Sequence, residues 1–107
     1  MSITGALSTA VSGLQASAVQ FGVAAHNVAN LNSDGYKALE VQFTSSVPGG
    51  RTFSSGVVET KVLESDHGVN LAQEFINMTI AKISYAANAQ VIRTLEDVTA
   101  IFLDIEV

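Results

Sequence analysis

Few residues in this chain have the type and spacing that catalysis requires. His26 and His67 are the two histidines, and no Gly-x-Ser-x-Gly pattern marks a nucleophile for either to activate. Glu64, Asp66 and His67 offer metal ligands, but three ligands on one short loop without a partner cluster make a poor metal site. Residues 49–52, Gly-Gly-Arg-Thr, lack the lysine and the glycine spacing of a phosphate-binding loop. The sequence therefore predicts no enzyme, no metal site and no cofactor.

Composition favours a small assembly protein over a nucleic-acid-binding protein. The chain has 107 residues, a formal net charge of -5 and only five lysines and arginines, which are scattered singly. Because neutralising phosphates requires clustered cations, nucleic acid is not an expected partner. Hydrophobic residues make up 48% of the chain but aromatic residues only 7%. A compact monomer of this length has a thin margin of stability, and oligomerisation is one ordinary remedy.

An apolar repeat of helical period dominates the N-terminal segment. Its members are Ile3, Leu7, Ala10, Leu14, Ser17, Phe21, Ala24, Val28 and Leu31. No formally charged side chain precedes Asp34, so this helix, about 40 Å long, needs another helix to cover its apolar seam. Gly5, Gly13 and Gly22 each weaken an isolated helix by about 1 kcal/mol relative to alanine. These glycines are either surface positions or points where neighbouring helices approach closely.

The same segment has the length of a transmembrane helix between Ala6 and Ala25. Serine, threonine and glutamine residues interrupt it, and neither end carries the lysine or arginine that sets topology or begins a signal peptide. We therefore expect no membrane insertion and no cleaved signal.

A turn and a short β element are expected after the N-terminal helix. Residues 32–35, Asn-Ser-Asp-Gly, end that helix, with Gly35 at the position suited to a positive φ. Residues 39–44 and 58–63 alternate apolar and polar side chains, and Pro48-Gly49-Gly50 lies between them. This pattern predicts a β-hairpin or an extended loop.

The C-terminal helix, which Asn70 caps and which has Glu74 in its first turns, carries two neighbouring apolar stripes. The first contains Leu71, Phe75, Met78, Tyr85, Ala89 and Ile92. The second contains Ile76, Ile80, Ile83, Ala87, Val91, Val98 and Ile105. A surface this wide predicts contacts with the N-terminal helix and with a neighbouring subunit. Lys82 and Glu96 fall on the first stripe, either solvated at its edge or paired across an interface.

Two motifs resemble those of the bacterial flagellar rod, hook and hook-associated axial proteins. Residues 29–37, Ala-Asn-Leu-Asn-Ser-Asp-Gly-Tyr-Lys, with Asn27 before them, are similar to that family's N-terminal signature, Ala-Asn-x-Asn-Thr-Pro-Gly-Tyr/Phe-Lys. Residues 70–78 and 85–94 resemble its C-terminal motif. The two motifs stand in the family's order at opposite ends of the chain.

The resemblance covers roughly residues 1–43 and 69–103 and leaves the middle unmatched. Ser33 and Asp34 stand where the family has threonine and proline. The middle segment is shorter than that of the short proximal-rod members, so the chain looks like a minimal or divergent member.

The resemblance implies a structural role. Members of the family are carried unfolded through the flagellar type III export apparatus and polymerise into a tubular axis, whose inner coiled-coil layer their terminal segments form. By this resemblance, Asn27, Asn30 and Asn32 would fix the helix end, and Gly35 with Tyr36 would direct the departing chain. Ordinary capping and turn chemistry is the alternative role for the asparagines.

We therefore predict a mainly α-helical single domain, 1–107, whose long terminal helices pack as an antiparallel coiled-coil-like pair. Residues 1–35 form the N-terminal helix and turn, 36–68 a β-hairpin or loop, and 69–107 the C-terminal helix. The residues expected to make assembly contacts are Leu7, Leu14, Phe21, Asn27, Asn30, Asn32, Gly35, Tyr36, Leu71, Phe75, Met78, Tyr85, Asn88 and Ile92.

The predicted function is that of a structural subunit of the flagellar basal-body rod, which spans the periplasm, with a contribution to motility. Expected partners are further copies of the chain, other rod and hook proteins and the export apparatus, with a homo-oligomer in isolation. No small-molecule substrate is expected. One alternative is a helical adaptor or export chaperone that covers another protein's amphipathic helix. Another is a small hydrolase, which needs a concave pocket with a perturbed histidine.

Overall fold

The computed structural model describes residues 3–46 and 57–106 of the chain. The elements in chain order are the helix α1 (Ile3–Ala29), the strands β1 (Leu39–Ser46) and β2 (Val57–Glu64), and the helix α2 (Leu71–Glu106). The predicted fold class is confirmed, because the chain forms two long terminal helices with a small antiparallel sheet between them in chain order. The predicted turn at Pro48-Gly49-Gly50 lies outside the described residues.

The end of α1 follows from the turn residues that come after it. The N–H of Asn30 is shared between the carbonyls of His26 and Asn27, both at 3.2 Å, so the last turn tightens. Gly35 then adopts a φ of 71°, which is the left-handed conformation predicted for it. Only glycine enters that region without a steric penalty, and the chain leaves the helix there to begin β1.

The two strands form an antiparallel ladder that leans on α1. Leu39 pairs with Glu64 at one end and Ser46 with Val57 at the other. The backbone N–H of Val58 donates a hydrogen bond to the Ser12 hydroxyl of α1 at 3.1 Å. Since an isolated two-stranded sheet is marginal in water, contact with α1 is the kind of support that this sheet needs.

The two helices run antiparallel and pack through small residues. A Cβ atom at Gly13 would lie 2.7 Å from Oδ1 of Asn88 on α2, whereas one at Gly22 would meet nothing within 4 Å. Gly13 is therefore a point of close helix approach, and Gly22 is a surface position. The buried hydrophobic residues of the described chain are all alanines, namely Ala10, Ala16, Ala24, Ala38 and Ala81.

Close packing through small residues divides the apolar seam predicted for α1. Its small members Ala10, Ser17 and Ala24 are buried, while Phe21 keeps 46% of its surface exposed and Leu7 is exposed as well. Of the other large members, Ile3 and Leu31 are exposed, and Leu14 and Val28 are half-buried. Within residues 3–46 and 57–106, neither helix combines the length and apolar character needed to cross a bilayer.

Candidate assembly interface

The end of α1, the start of β1 and the start of α2 meet at the side chain of Asn27, which has 0% exposure. Its Oδ1 accepts the N–H of Leu39 at 2.9 Å and the hydroxyl of Tyr36 at 2.7 Å. Its Nδ2 donates to the carbonyl of Leu39 at 2.8 Å and to Oε1 of Glu74 at 3.1 Å. Every hydrogen-bonding position of the amide is used. Because Leu39 presents both a donor and an acceptor, the amide can take only this orientation.

Tyr36 extends this network to His26. Its hydroxyl lies 2.8 Å from Nδ1 of His26, and the two rings are tilted with centroids 5.8 Å apart. Since the Tyr36 hydroxyl donates its proton to Asn27, it can only accept in the bond to His26. The Nδ1 of His26 is therefore the donor of that bond. Burial raises the pKa of Tyr36, and the carboxylates of Glu74 and Glu64 raise it further. Tyr36 therefore stays a protonated donor.

Of the other predicted asparagines, Asn30 acts locally. Its Nδ2 donates to the carbonyl of His26 at 2.9 Å, and its Oδ1 accepts the Ser33 hydroxyl at 3.2 Å. Asn32 is exposed. The three asparagines thus differ in role: Asn27 joins three elements, Asn30 performs ordinary capping chemistry, and Asn32 faces solvent.

The start of α2 is built around Asn70 and Glu74. Oδ1 of Asn70 accepts the N–H of Gln73 at 3.2 Å, which confirms the predicted N-cap. Glu74 is only 6% exposed, and its position in the first turn suits a carboxylate near a helix N-terminus. Its bond to Asn27 was missed by sequence reasoning. The available signal was a seven-residue spacing, which places Glu74 on the same face of α2 as the buried Ala81 and the half-buried Asn88.

The side chains of α1 and α2 line an apolar groove to which neither strand contributes a residue. It consists of two hollows with volumes of 540 and 340 Å³. The first is lined by Ser17, Ala18, Phe21, Ala81, Lys82 and Tyr85. The second is lined by Ile3, Leu7, Leu95, Glu96, Thr99, Ala100 and Leu103. The uncovered large residues of α1 therefore belong to a concave surface that both helices share.

A second uncovered surface is the outer stripe of α2, which follows the second stripe predicted from the sequence. Its members are Ile76, Ile80, Ile83, Ala87, Val91, Val98, Ile101 and Ile105. Ile83 is 64% exposed and Ile105 is 74% exposed. No position of the stripe holds a charged residue. Ile101 was missed by sequence reasoning, although it lies three residues after Val98.

The comparisons with known proteins each match part of the chain. Residues 7–37 match the family model described as Flagella basal body rod protein. The chain is also 38% identical over 64 residues to the flagellar hook protein FlgE of Rhizobium meliloti (strain 1021). The resemblance to flagellar rod and hook axial proteins is confirmed. The aligned stretch covers 58% of this chain and 16% of the hook protein, so the chain spans a small part of that relative's length.

The axial signature coincides with the network around Asn27. The matched segment 7–37 contains α1 from Leu7 onward, together with Gly35 and Tyr36, and Glu74 completes the network from α2. The signature thus encodes a way of ending α1 and directing the chain into β1, held in place by one carboxylate of the second helix.

The predicted assembly residues fall into several environments. The large apolar residues Leu7, Phe21, Leu71, Phe75 and Tyr85 are exposed. Leu14, Met78, Asn88 and Ile92 are half-buried, as are Asn30 and Tyr36, while Gly35 and Asn32 are exposed and Asn27 is buried. The part of these residues in assembly stays a prediction.

His67, considered as a ligand in the sequence, makes a local contact at the base of the sheet. Its Nε2 lies 2.9 Å from Oε1 of Glu40, and its Nδ1 lies 2.9 Å from the carbonyl of Gly68. Both partners are acceptors, so the two hydrogen bonds form together only when the ring is protonated. The Gly68 carbonyl, followed by the Glu40 carboxylate, raises the pKa of His67. In the described part of the chain, no group of three His, Asp or Glu is placed to hold a metal.

We expect NMR titration of His67 to give a pKa above the ordinary value of 6.5. The pKa of His67 is higher in the folded protein than in the unfolded chain. The contact therefore contributes its full stabilisation at pH values below the unfolded pKa, and this stabilisation is lost as the pH rises through the folded pKa. The substitution Glu40→Gln should lower the pKa of His67, and Glu96→Gln on α2 should leave it unchanged. An equal pKa in the wild type and Glu40→Gln would show that the carboxylate has no effect on the ring.

Proposed function

We propose that this chain is a structural subunit of the bacterial flagellar axis that assembles through its terminal helices. One observation carries the proposal: alanine, glycine and serine fill the contact between the helices, while large apolar side chains stay uncovered on both. Soluble monomers rarely expose contiguous apolar patches of this kind unless the patches bind something. The matches to rod and hook proteins indicate which class of assembly covers them.

In this role the neighbours of the chain are further copies of itself and other rod and hook proteins. The family resemblance supports a position in the basal-body rod across the periplasm, delivery by the type III export apparatus and a contribution to motility. The role is structural, without catalysis, cofactor, nucleic acid or small-molecule substrate. Only a small two-stranded sheet lies between the terminal helices of this chain, which agrees with its resemblance to a minimal or divergent member of the family.

The small core supplies a physical reason for assembly. Burying alanine removes little apolar surface from water, and ordering each residue costs about 1 to 2 kcal/mol of backbone entropy. When neighbouring subunits cover residues such as Phe21, Phe75 and Ile83, they bury the apolar surface that the isolated subunit leaves exposed. Folding is therefore coupled to assembly, and the measured stability depends on protein concentration.

We expect the mass measured by sedimentation and the helicity measured by circular dichroism to rise together as the protein concentration increases. The substitution Phe21→Asp should weaken self-association by about 100-fold or more, because it buries an unpaired carboxylate in the interface. The matched control is Gln15→Asp, at an exposed position on another side of α1.

The control variant should associate like the wild type. Unaltered sedimentation of Phe21→Asp, or a wild type that stays a fully helical monomer at every concentration, would contradict the proposal. A small oligomer that never grows would favour the adaptor or export-chaperone alternative instead.

A further inference from the structure

We propose that the subunits join head to tail, with the outer stripe of α2 in one copy seated in the apolar groove of the next copy. The inference rests on the proposed self-assembly and adds which surfaces meet. The occupant of the groove is a second copy of this chain.

The two surfaces have complementary shapes. The outer stripe is a ridge on a single helix, with Ile83 and Ile105 among its most exposed members. The groove is concave, because its hollows of 540 and 340 Å³ lie between two helices. A groove facing a groove leaves both hollows unfilled, and a stripe facing a stripe leaves the groove uncovered. Since interiors and interfaces pack to high density, a ridge in a groove is the arrangement that covers both.

The spacing along the helices also agrees. The two hollows are marked on α1 by Phe21 and Leu7, which are 14 residues apart in the sequence and so about 21 Å apart along the helix. Val91 and Ile105 of the outer stripe are separated by the same number of residues and the same rise. Two side chains of the stripe can therefore enter the two hollows together without a change in either helix.

The charges around the groove do not oppose this contact. No position of the stripe is charged, so no charged group of the incoming helix has to be desolvated. The groove has Lys82 beside one hollow and Glu96 beside the other, and both side chains are exposed. Their long stems can lie over the docked helix while the charged ends stay in water.

Contact between two different surfaces has a consequence for growth. A surface that pairs with itself closes a dimer, whereas a ridge that fits the groove of the next molecule leaves one free ridge and one free groove at the ends. Each added copy repeats that condition. The inferred contact therefore produces an open-ended assembly when the rotation between successive copies does not close a ring, and a rod requires such an assembly.

The experiment uses two full-length variants, each blocked at one surface. Ala87→Asp places a charge on the stripe, and Phe21→Asp places one in the groove. Their controls are Ala86→Asp and Gln15→Asp, which introduce the same side chain at exposed positions outside both surfaces. Sedimentation velocity measures each variant alone and an equimolar mixture of Ala87→Asp with Phe21→Asp, and circular dichroism measures their helicity.

Head-to-tail contact predicts that each blocked variant stays monomeric alone while the mixture doubles in mass, since one variant retains the groove and the other the stripe. Both controls should grow like the wild type. If either blocked variant still pairs by itself, like surfaces meet and the inference is wrong. It is equally wrong if the mixture stays monomeric. If Phe21→Asp prevents folding even in the mixture, Ala18→Asp at the rim of the same hollow replaces it. A wild type that never associates refutes the proposed function itself.

Discussion

Replacing Asn27 by leucine will lower the free energy of unfolding by about 3 to 5 kcal/mol. The substitution leaves the N–H and carbonyl of Leu39 and the carboxylate of Glu74 without the partners they have in the native protein. Each buried polar group that loses its hydrogen bond costs about 1 to 3 kcal/mol. Because small domains are stable by only about 5 to 15 kcal/mol, this loss is a large fraction of the total stability.

Urea titration followed by circular dichroism, at one fixed protein concentration, measures this change. The control is Asn32→Leu, which replaces an exposed asparagine and should shift stability by no more than about 0.5 kcal/mol. Glu74→Gln should have a small effect, because its side-chain carbonyl still accepts the Asn27 amide. Equal urea midpoints for Asn27→Leu and Asn32→Leu would refute the role assigned to Asn27.

The second large effect is expected at Gly13. In Gly13→Leu even the first side-chain atom meets Asn88, at 2.7 Å from Oδ1 and 2.8 Å from Cγ. Either the Asn88 side chain gives up its bond to the Ser84 carbonyl, or the helices move apart. We expect a loss of about 2 kcal/mol or more. In Gly22→Leu the new side chain enters open space, and removing a helix glycine should raise stability by about 0.8 kcal/mol.

The two substitutions are expected to change the free energy of unfolding in opposite directions, although both replace a glycine of α1. Comparing them therefore tests whether the helices pack closely at Gly13. Thermal unfolding of both variants at the same concentration measures it. The double substitution Gly13→Ala with Asn88→Ala removes the obstructing amide and should be at least as stable as the wild type. If Gly13→Leu is as stable as Gly22→Leu, the helices are not held together at Gly13.

The elements of the fold could be predicted because their signals are local. The three-and-four repeat of α1, the alternation in both strands and the N-cap Asn70 each act within a few residues of the structure they specify. The left-handed Gly35 is equally local, since the need for glycine follows from the backbone of one residue. The structure places these features where the sequence predicts them.

The site was only partly predictable. Asn27 was singled out from its motif, but its bond to Glu74 joins residues 47 positions apart, and no local pattern carries that pairing. His67 was considered as a ligand of a short loop, yet its partner Glu40 comes from a strand that folding brings beside it. Such contacts depend on how elements are arranged, which periodicity does not report.

The sequence by itself determined that both terminal segments are apolar helices joined through a turn and a small sheet, because hydrophobic period and turn chemistry act locally. Only the tertiary structure decided which face of each helix meets the other. The apolar repeat in the sequence is marked most clearly by large side chains, such as those of Leu7 and Phe21. The helices instead pack together at small residues, such as Gly13 and Ala81. The intramolecular contact therefore uses the small residues, and large ones such as Leu7 and Phe21 stay exposed.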